Sequence, residues 1–322
     1  MRSKVYLGID VGSVSTNVVA SNISGEVLGT LYLKTQGQPI LAIQQGIKEI
    51  HAFIPQDADI GGVGTTGSGR MLAAALVGAD VVKNEITAHA TATLRCVPGT
   101  RTILEIGGQD SKIIILNHGV VTDFAMNTVC AAGTGSFLDR QASRLGIPIE
   151  ELGQLALKAK TPTRIAGRCA VFAESDMVHK QQVGHSTPDI VAGLCEALVR
   201  NYLNNVAKGK SIVGPIVFQG GVAANVGIRR AFEEALGLTV HVPEHYSVMG
   251  ALGACYLAEQ TKTASTFRGF DVAEADCQAT GVSCTGCGNN CEVVQFSMNG
   301  DVVAFWGDRC GKYEHKRAVA SN

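Results

Sequence analysis

Apolar runs along the chain are broken at short intervals by polar, glycine-bearing turns. Residues 4–10 and 18–22 read as strands around Val11-Gly12-Ser13-Val14-Ser15-Thr16-Asn17, and Ser24-Gly25-Glu26 leads into a third strand, 27–33. Isoleucines at 40, 43, 47, 50 and 54 share one helical face, so residues 39–54 predict a helix. A strand at 61–64 passes through Thr65-Thr66-Gly67-Ser68-Gly69-Arg70 into a helix ending near Leu76, and another helix begins at Val82. The hairpin pattern then returns as strand 101–106, turn Gly107-Gly108-Gln109-Asp110-Ser111, and strands 112–116 and 120–124. Gly107 stands 95 positions after Gly12. Such recurrence predicts two similar α/β lobes, each presenting a phosphate-sized turn to a shared cleft. Beyond them come an amphipathic helix at 188–207, a buried strand at 215–218, a Gly220-Gly221 turn into a helix at 226–236, and a strand at 240–243. Residues 245–255 then form a small-residue helix suited to close packing.

Composition narrows the class. The 322 residues, 46% apolar and 17% charged with 38 glycines, fit a soluble α/β protein of two domains. A formal net charge of −1 gives no basic surface for nucleic acid or an anionic membrane. The first strand opens at once with no leader ahead of it, and no apolar run reaches bilayer length, so a cytoplasmic location without a membrane partner is expected. Ten cysteines in such a chain point to metal ligation or redox chemistry more than to disulfides.

The first turn can bring backbone N–H groups and hydroxyls onto a phosphate, while Asp10 at the strand end can hold Mg²⁺ through water; a plain hairpin is the other reading. Gly220-Gly221 leaves bare backbone for a flat ring. The loop 65–70 can meet an anion at a helix N-terminus or simply turn the chain. Glu85 and His89 lie one helical turn apart, as a metal pair or an ordinary hydrogen-bonded pair. Cys130, in Asn127-Thr128-Val129-Cys130-Ala131-Ala132-Gly133-Thr134-Gly135, is read at the mouth of a helix, and Cys169, 39 positions later, repeats the arrangement. A thiolate there is favoured by unpaired N–H groups and the helix dipole. Two cysteines are half of a tetrahedral sulfur site, so another cysteine or a second copy of the chain must complete it; two small buried residues is the plainer reading.

The two hairpins and the Gly-Gly turn together resemble the nucleotide elements of the actin, sugar-kinase and chaperone-ATPase superfamily. Residues 4 to about 258 resemble the ATP-dependent activators of 2-hydroxyacyl-CoA dehydratases and their benzoyl-CoA reductase ATPase relatives. The match is carried by Ile9-Asp10-Val11-Gly12-Ser13, Gly107-Gly108-Gln109-Asp110, Cys130-Ala131-Ala132-Gly133-Thr134-Gly135, Cys169 followed by Phe172-Ala173-Glu174-Ser175, and Gly220-Gly221-Val222. The resemblance implies ATP/ADP and Mg²⁺ as cofactors, and a homodimer sharing one 4Fe–4S cluster through Cys130 and Cys169 of each subunit. It also implies a ferredoxin or flavodoxin as electron donor. The acceptor would be a dehydratase, a benzoyl-CoA reductase or a double-cubane cluster protein. In that scheme Asp10 and Asp110 organise Mg²⁺, and Gly12, Ser13, Ser15, Thr16, Gly107 and Gly108 cradle phosphate. Gln109 positions the attacking water, Gly133 belongs to the cofactor-binding turn after Cys130, and Gly220 and Gly221 lie against adenine. The expected organisation is an ATPase core at 1–259 with lobes of roughly 1–95 and 96–259, a linker at 260–273, and a cysteine-rich extension at 274–322.

In that extension, Cys284, Cys287 and Cys291 have a spacing that lets three sulfurs reach one metal, with Cys310 or Cys277 as the fourth. Zinc and a second iron–sulfur cluster fit alike, and unligated thiols on the main body are the third reading. Two strands flanking Asn299-Gly300 read as a hairpin. For the whole chain, a small-molecule kinase of the same superfamily would not need Cys130 and Cys169. A non-enzymatic cluster-binding regulatory dimer would need no ATPase activity.

Overall fold

The computed structural model describes residues 3–261 and 263–313. Met1, Arg2, Lys262 of the expected linker, and residues 314–322 of the expected extension lie outside the described residues. The chain forms two compact units, one built up to residue 88 and again from Gly250 onward, the other from His89 to Met249.

In the first unit β1 (Lys4–Val11), β2 (Ser15–Asn22) and β3 (Val27–Lys34) form an antiparallel meander, and β4 (Asp59–Thr66) and β5 (Val81–Val82) add in parallel, giving the order β3-β2-β1-β4-β5. Helix α1 (Pro39–Ile50) starts on proline, whose missing N–H would be unpaired in a first turn anyway, and buries Ile43, Ile47 and Ile50 in the core with Leu7 and Ile9. It stops short of Ile54 because a single 3₁₀ turn, His51–Phe53, follows. Helix α2 (Arg70–Val77) closes on Gly78 at φ 72, the left-handed cap that glycine adopts freely.

After α3 (Glu85–Cys96) the second unit repeats the plan. Strands β6 (Thr102–Ile106), β7 (Ser111–Asn117) and β8 (Val120–Asn127) form the meander, and β9 (Ile216–Gln219) and β10 (Val240–His241) add in parallel, in the order β8-β7-β6-β9-β10. Between β8 and β9 come α4 (Gly135–Leu145), α5 (Ile149–Ala156), α6 (Ala170–Gln182) and α7 (Thr187–Asn205). Ser186 caps α7 by accepting from Asp189 N, and Asn225 caps α8 (Val226–Leu236) by accepting from Gly227 N and Ile228 N. The core gathers Leu104, Ile113, Phe137, Leu138, Leu198 and Phe232.

The chain then returns to the first unit. Helix α9 (Met249–Glu259) lies directly on sheet backbone: a Cβ on Gly8 or Gly64 would run into the carbonyls of Ala251 and Ala254. Residues 265–275 do not hang free. Thr266 N donates to Asp80 Oδ1 (2.6 Å), Arg268 N to Val77 O (2.9 Å), and Gln44 Nε2 to Ala275 O (2.8 Å), while Phe270 stacks on His51 at 4.0 Å. Burial works to raise the Asp80 carboxyl, but hydrogen bonds from Thr266, Ser265 and Val63 hold it below the usual carboxylate range. Finally β11 (Cys277–Ser283), β12 (Glu292–Met298) and β13 (Asp301–Trp306) form an antiparallel sheet whose Phe296 is fully buried in the first unit's core. The expected hairpin is present, turning on Asn299 and Gly300, both at positive φ. It gains a third strand, β11, whose centre is exposed and so carries no alternating apolar signal.

Candidate active site

In the first hairpin Gly12 N donates to Ser15 O at 2.9 Å, and Ser13 is exposed at the tip. The register sets Asp10 opposite Asn17 on β2 and opposite Thr66 on β4. Asn17 Oδ1 and Thr66 Oγ1 are buried, and among the described residues neither has a hydrogen-bond partner. Buried polar atoms are normally satisfied, so these oxygens beside an acid are candidates for holding a ligand or water. An all-oxygen set suits Mg²⁺ with its waters. Gly67, at φ 88, leaves room for the Asp10 carboxylate, which a Cβ there would strike. Thr16 departs from its expected role. It is fully buried, with Oγ1 3.0 Å from Thr35 Oγ1, which in turn donates to Gly12 O at 2.9 Å. It braces the turn from beneath and offers no free hydroxyl to a phosphate.

The second hairpin closes the same way, with Gly107 N donating to Asp110 O at 3.0 Å. Gly107 therefore takes the place of Gly12, Asp110 that of Ser15, and Glu105 that of Asp10. The register agrees: Glu105 faces Lys112 and Gln219, as Asp10 faces Asn17 and Thr66. The two acids that read as equivalent in the sequence are thus offset. Asp110 Oδ2 lies 2.8 Å from Lys112 Nζ, which is also 3.0 Å from Glu105 Oε2; Lys112 and Glu105 are both buried. A Cβ on Gly220 would come within 2.7 Å of Glu105 Oε1, and one on Gly107 within 3.4 Å. One carboxylate therefore lies against both glycine turns, while Gln109 is exposed at the hairpin tip. Gln219, fully buried, donates through Nε2 to His89 Nδ1 (2.8 Å) and accepts from Thr93 Oγ1 (2.8 Å). Burial, and after it the nearby Lys112, pushes the His89 imidazole down to about 3, so the ring is neutral. His89, one half of the Glu85–His89 pair, thus gives Nδ1 to Gln219.

Cys169 is the N-cap residue of α6, as its spacing predicts. Cys130 is not at the mouth of α4: the 3₁₀ turn Ala131–Gly133 intervenes and Thr134 holds the cap position. Asn127 is the cause. Its Oδ1 accepts from Cys130 N (2.9 Å) and Val129 N (3.3 Å), and its Nδ2 donates to Cys130 O (2.8 Å), which folds the cysteine into a side-chain-closed turn. The first turn of α4 is satisfied by the second hairpin. Gly135 N donates to Gly107 O (2.9 Å), and Ser136 gives both its N–H (2.8 Å) and its hydroxyl (2.5 Å) to Gly108 O. Asn201, buried on α7, donates through Nδ2 to Gly167 O (2.6 Å), and that nitrogen lies 3.9 Å from Cys130 Sγ. It ties the two cysteine-bearing loops together. Gly133 makes room for it, since a Cβ there would sit 2.7 Å from Asn201 Oδ1. Glu174 of α6 pairs with Arg140 and Arg144 of α4, each at 2.6 Å, and the Arg140 hydrogen bond lowers its carboxyl. Val129, Val171 and Phe172, beside the cysteines, are exposed. Two thiols on braced loops with apolar neighbours at the surface fit half of a sulfur-ligated metal site.

Around the cysteines Asn127 and Asn201 were the positions missed, and in the second hairpin Glu105 and Lys112. For Asn201 a signal existed: it continues the buried stripe of Leu194 and Leu198, a polar residue where another leucine belongs. In the C-terminal extension Cys284 is buried, Cys277 and Cys291 are half-buried, and Cys287 and Cys310 are exposed, all as free thiols; only Cys277 lies on a strand. Cys284 N donates to Cys291 O at 2.8 Å. Among the described residues no three His, Cys, Asp or Glu side chains gather to hold a metal within one chain. Among them, too, no helix is long and apolar enough to cross a membrane.

Residues 7–258, which hold both hairpins, the Gly-Gly turn and both thiol loops, match the BadF/BadG/BcrA/BcrD ATPase family. The chain belongs to this family. This BadF/BadG/BcrA/BcrD-family ATPase is 33% identical over 256 residues to the (R)-2-hydroxyglutaryl-CoA dehydratase activating ATPase of Acidaminococcus fermentans, covering 78% of this chain and 96% of that one. It is also similar to the solved structure of the activator of the 2-hydroxyisocaproyl-CoA dehydratase from Clostridium difficile with bound ADPNP. There the TM-score is 0.71 at 30% identity, over 84% of this chain and 96% of the other. A xyloylose kinase from Brucella ovis, only 10% identical, shares the fold alone, with a TM-score of 0.51 over 79% of this chain and 90% of the kinase. The family member has the actin-like ATPase and sugar-kinase fold, and its three-stranded C-terminal sheet lies beyond the matched residues.

Proposed function

We propose that this ATPase is a homodimer that couples ATP hydrolysis to the delivery of single low-potential electrons to a partner enzyme, a 2-hydroxyacyl-CoA dehydratase or a related reductase. One observation carries the reading: the carbonyls of Gly107 and Gly108 cap α4, five residues after Cys130. A change in the hairpin on binding or hydrolysing a nucleotide is thereby passed, through three hydrogen bonds, to the segment bearing the thiol. The partner class is supported by the relatives named as dehydratase activators, and the nucleotide by the ADPNP bound in one of them.

Cys130 and Cys169 of each subunit would hold a 4Fe–4S cluster, which supplies the one-electron chemistry when bound. Val129, Val171 and Phe172 give the apolar surface that a second copy of the chain would cover. Gly12, Ser13, Ser15, Gly107 and Gly108 offer backbone and hydroxyl donors to phosphate. Asp10, with Asn17 and Thr66, offers oxygens to Mg²⁺ and its waters, and Gln109 at its exposed tip orients the attacking water. A tenfold bias in a one-electron couple is worth about 59 mV, so the hairpin-to-loop linkage must separate the ATP and ADP states by a large differential affinity. A ferredoxin or flavodoxin supply and a cytoplasmic location complete the reading.

Anaerobic purification tests it. About four irons per two chains are expected, with ATP-dependent one-electron reduction of an acceptor dye. Cys130→Ser and Cys169→Ser should lose iron and electron delivery while ATP turnover persists. Monomeric material, or iron retained in both variants, would overturn the reading, and iron-free protein that phosphorylates a small molecule would replace it with the kinase.

A further inference from the structure

We propose that Asn201 is a positioning residue that donates a hydrogen bond to the Cys130 sulfur and so raises the reduction potential of the centre those thiols hold. The inference rests on the cluster-bearing reading above. Asn201 is 2% exposed, on the face of α7 that carries Leu194 and Leu198 into the core. Its Nδ2 has two hydrogens. One goes to Gly167 O at 2.6 Å, and the other is left for Cys130 Sγ at 3.9 Å, a separation a large sulfur acceptor allows. Its Oδ1 is buried and has no hydrogen-bond partner among the described residues.

A leucine would avoid the buried amide oxygen that has no partner among the described residues, but it would also take from Gly167 O its 2.6 Å donor, so the asparagine serves the loop tie as well as the sulfur. Gly133 points the same way. Its missing side chain is what lets the amide approach, for a Cβ there would meet Asn201 Oδ1 at 2.7 Å. Asn127 also serves Cys130, but through that residue's backbone N–H and C=O. Asn201 is the one of the two whose recorded contact is with the sulfur itself. An N–H aimed at a ligating sulfur places partial positive charge where an added electron resides, which favours the reduced form. Removing that donor lowers the potential.

The experiment uses the anaerobically prepared dimer and compares wild type with Asn201→Leu, which keeps the branching at Cγ and loses the donor, and Asn201→Asp, which adds charge. Iron content, the midpoint potential and the paramagnetic resonance spectrum of the reduced form are read together. The Leu variant is expected to keep its iron, to show an altered spectrum, and to be reduced about tenfold less at a fixed applied potential, a shift of about 59 mV. The Asp variant is expected to shift further in the same direction. An iron-loaded Leu variant with unchanged potential and spectrum would overturn the proposal, leaving Asn201 a purely structural tie. If the Leu variant fails to load, Gly133→Ala decides, because it displaces the amide without removing it: a lowered potential supports the proposal and an unchanged one overturns it. Iron-free wild type is a different failure, of the cluster reading itself.

Discussion

Asp10 and Glu105 end the central strand of the two units at the same position of the same backbone, and their neighbours could hardly differ more. Asp10 faces Asn17 and Thr66, whose buried oxygens find no hydrogen-bond partner among the described residues. Glu105 faces Lys112 and Gln219, both bonded: Lys112 to Glu105 and Asp110, Gln219 to His89 and Thr93. The duplicated hairpins have therefore diverged by electrostatics and not by shape. The first leaves two buried oxygens without hydrogen-bond partners among the described residues, which a cation would complete on the proposed reading. The second carries its cation in its own sequence and becomes a strut, under Gly220 on one side and, through Gly107 and Gly108, against α4 on the other. The coupling proposed above would need an element that is stiff where it transmits and unsatisfied where it senses.

The largest effect should come from breaking the strut. Lys112→Met takes from the buried Glu105 carboxylate the ammonium that lies 3.0 Å from it, a loss of about 3–5 kcal/mol that is a sizeable part of a domain's total stability. Urea denaturation followed by a probe in the second unit should show it, and adding Glu105→Gln should recover much of the loss. A single-variant cost below about 1 kcal/mol would mean the pair is not holding the hairpin.

The matching change in the first hairpin should act the other way round. Thr66→Val keeps the shape and deletes an oxygen that has no hydrogen-bond partner in the described structure, so stability should change by no more than about 1 kcal/mol. The Mg²⁺ concentration that half-saturates ATP turnover should instead rise, by about tenfold for one lost oxygen contact, equivalent to about 1.4 kcal/mol. A Mg²⁺ titration of the variant checks this. An unmoved midpoint together with a large loss of stability would abolish the distinction between the two hairpins.

Much of this architecture was legible because it is local. Strands of five to eight residues with glycine turns between them declare themselves, and their recurrence 95 positions apart exposed the duplication. The equivalence of Asp10 with Glu105 was hidden because a motif shows acids near turns without showing which residue pairs across the turn. The hydrogen bonds Gly12 N to Ser15 O and Gly107 N to Asp110 O settle that, and they depend on three-dimensional closure. Cys130 looked like a helix-mouth residue because Gly133 to Gly135 read as one turn, whereas the Asn127 side chain draws Cys130 into a turn of its own. The apolar residues of the 260–275 stretch follow no helical or strand period, so periodicity could not reveal that Phe267, Phe270 and Val272 pack on the first unit's core beside polar anchors such as Thr266 on Asp80.

The smallest effect concerns pH and again separates the units. Buried neutral His89 sits in the second unit, where its Nδ1 receives the Gln219 amide, and burial first and Lys112 second hold it at about 3. In the unfolded chain the ring titrates near 6.5. Between those values the unfolded state binds a proton that the folded state refuses, so stability is full above about pH 6.5 and falls as the pH drops through that window. The slope from one group is at most about 1.4 kcal/mol per pH unit. His89→Gln removes it. The variant should be less stable than wild type at pH 7.5, where the Gln219 bond is disturbed, and should close the gap at pH 5, where wild type carries the penalty of excluding a proton. Asp80 and Glu174, whose carboxyls are lowered, lose their contribution only near and below about pH 4, so they leave the pH 5–6.5 part of the window clear. Denaturation midpoints at the two pH values decide: parallel curves for wild type and variant would mean the ring is protonated in the folded protein, and the second hairpin's network would then be no more self-contained than the first.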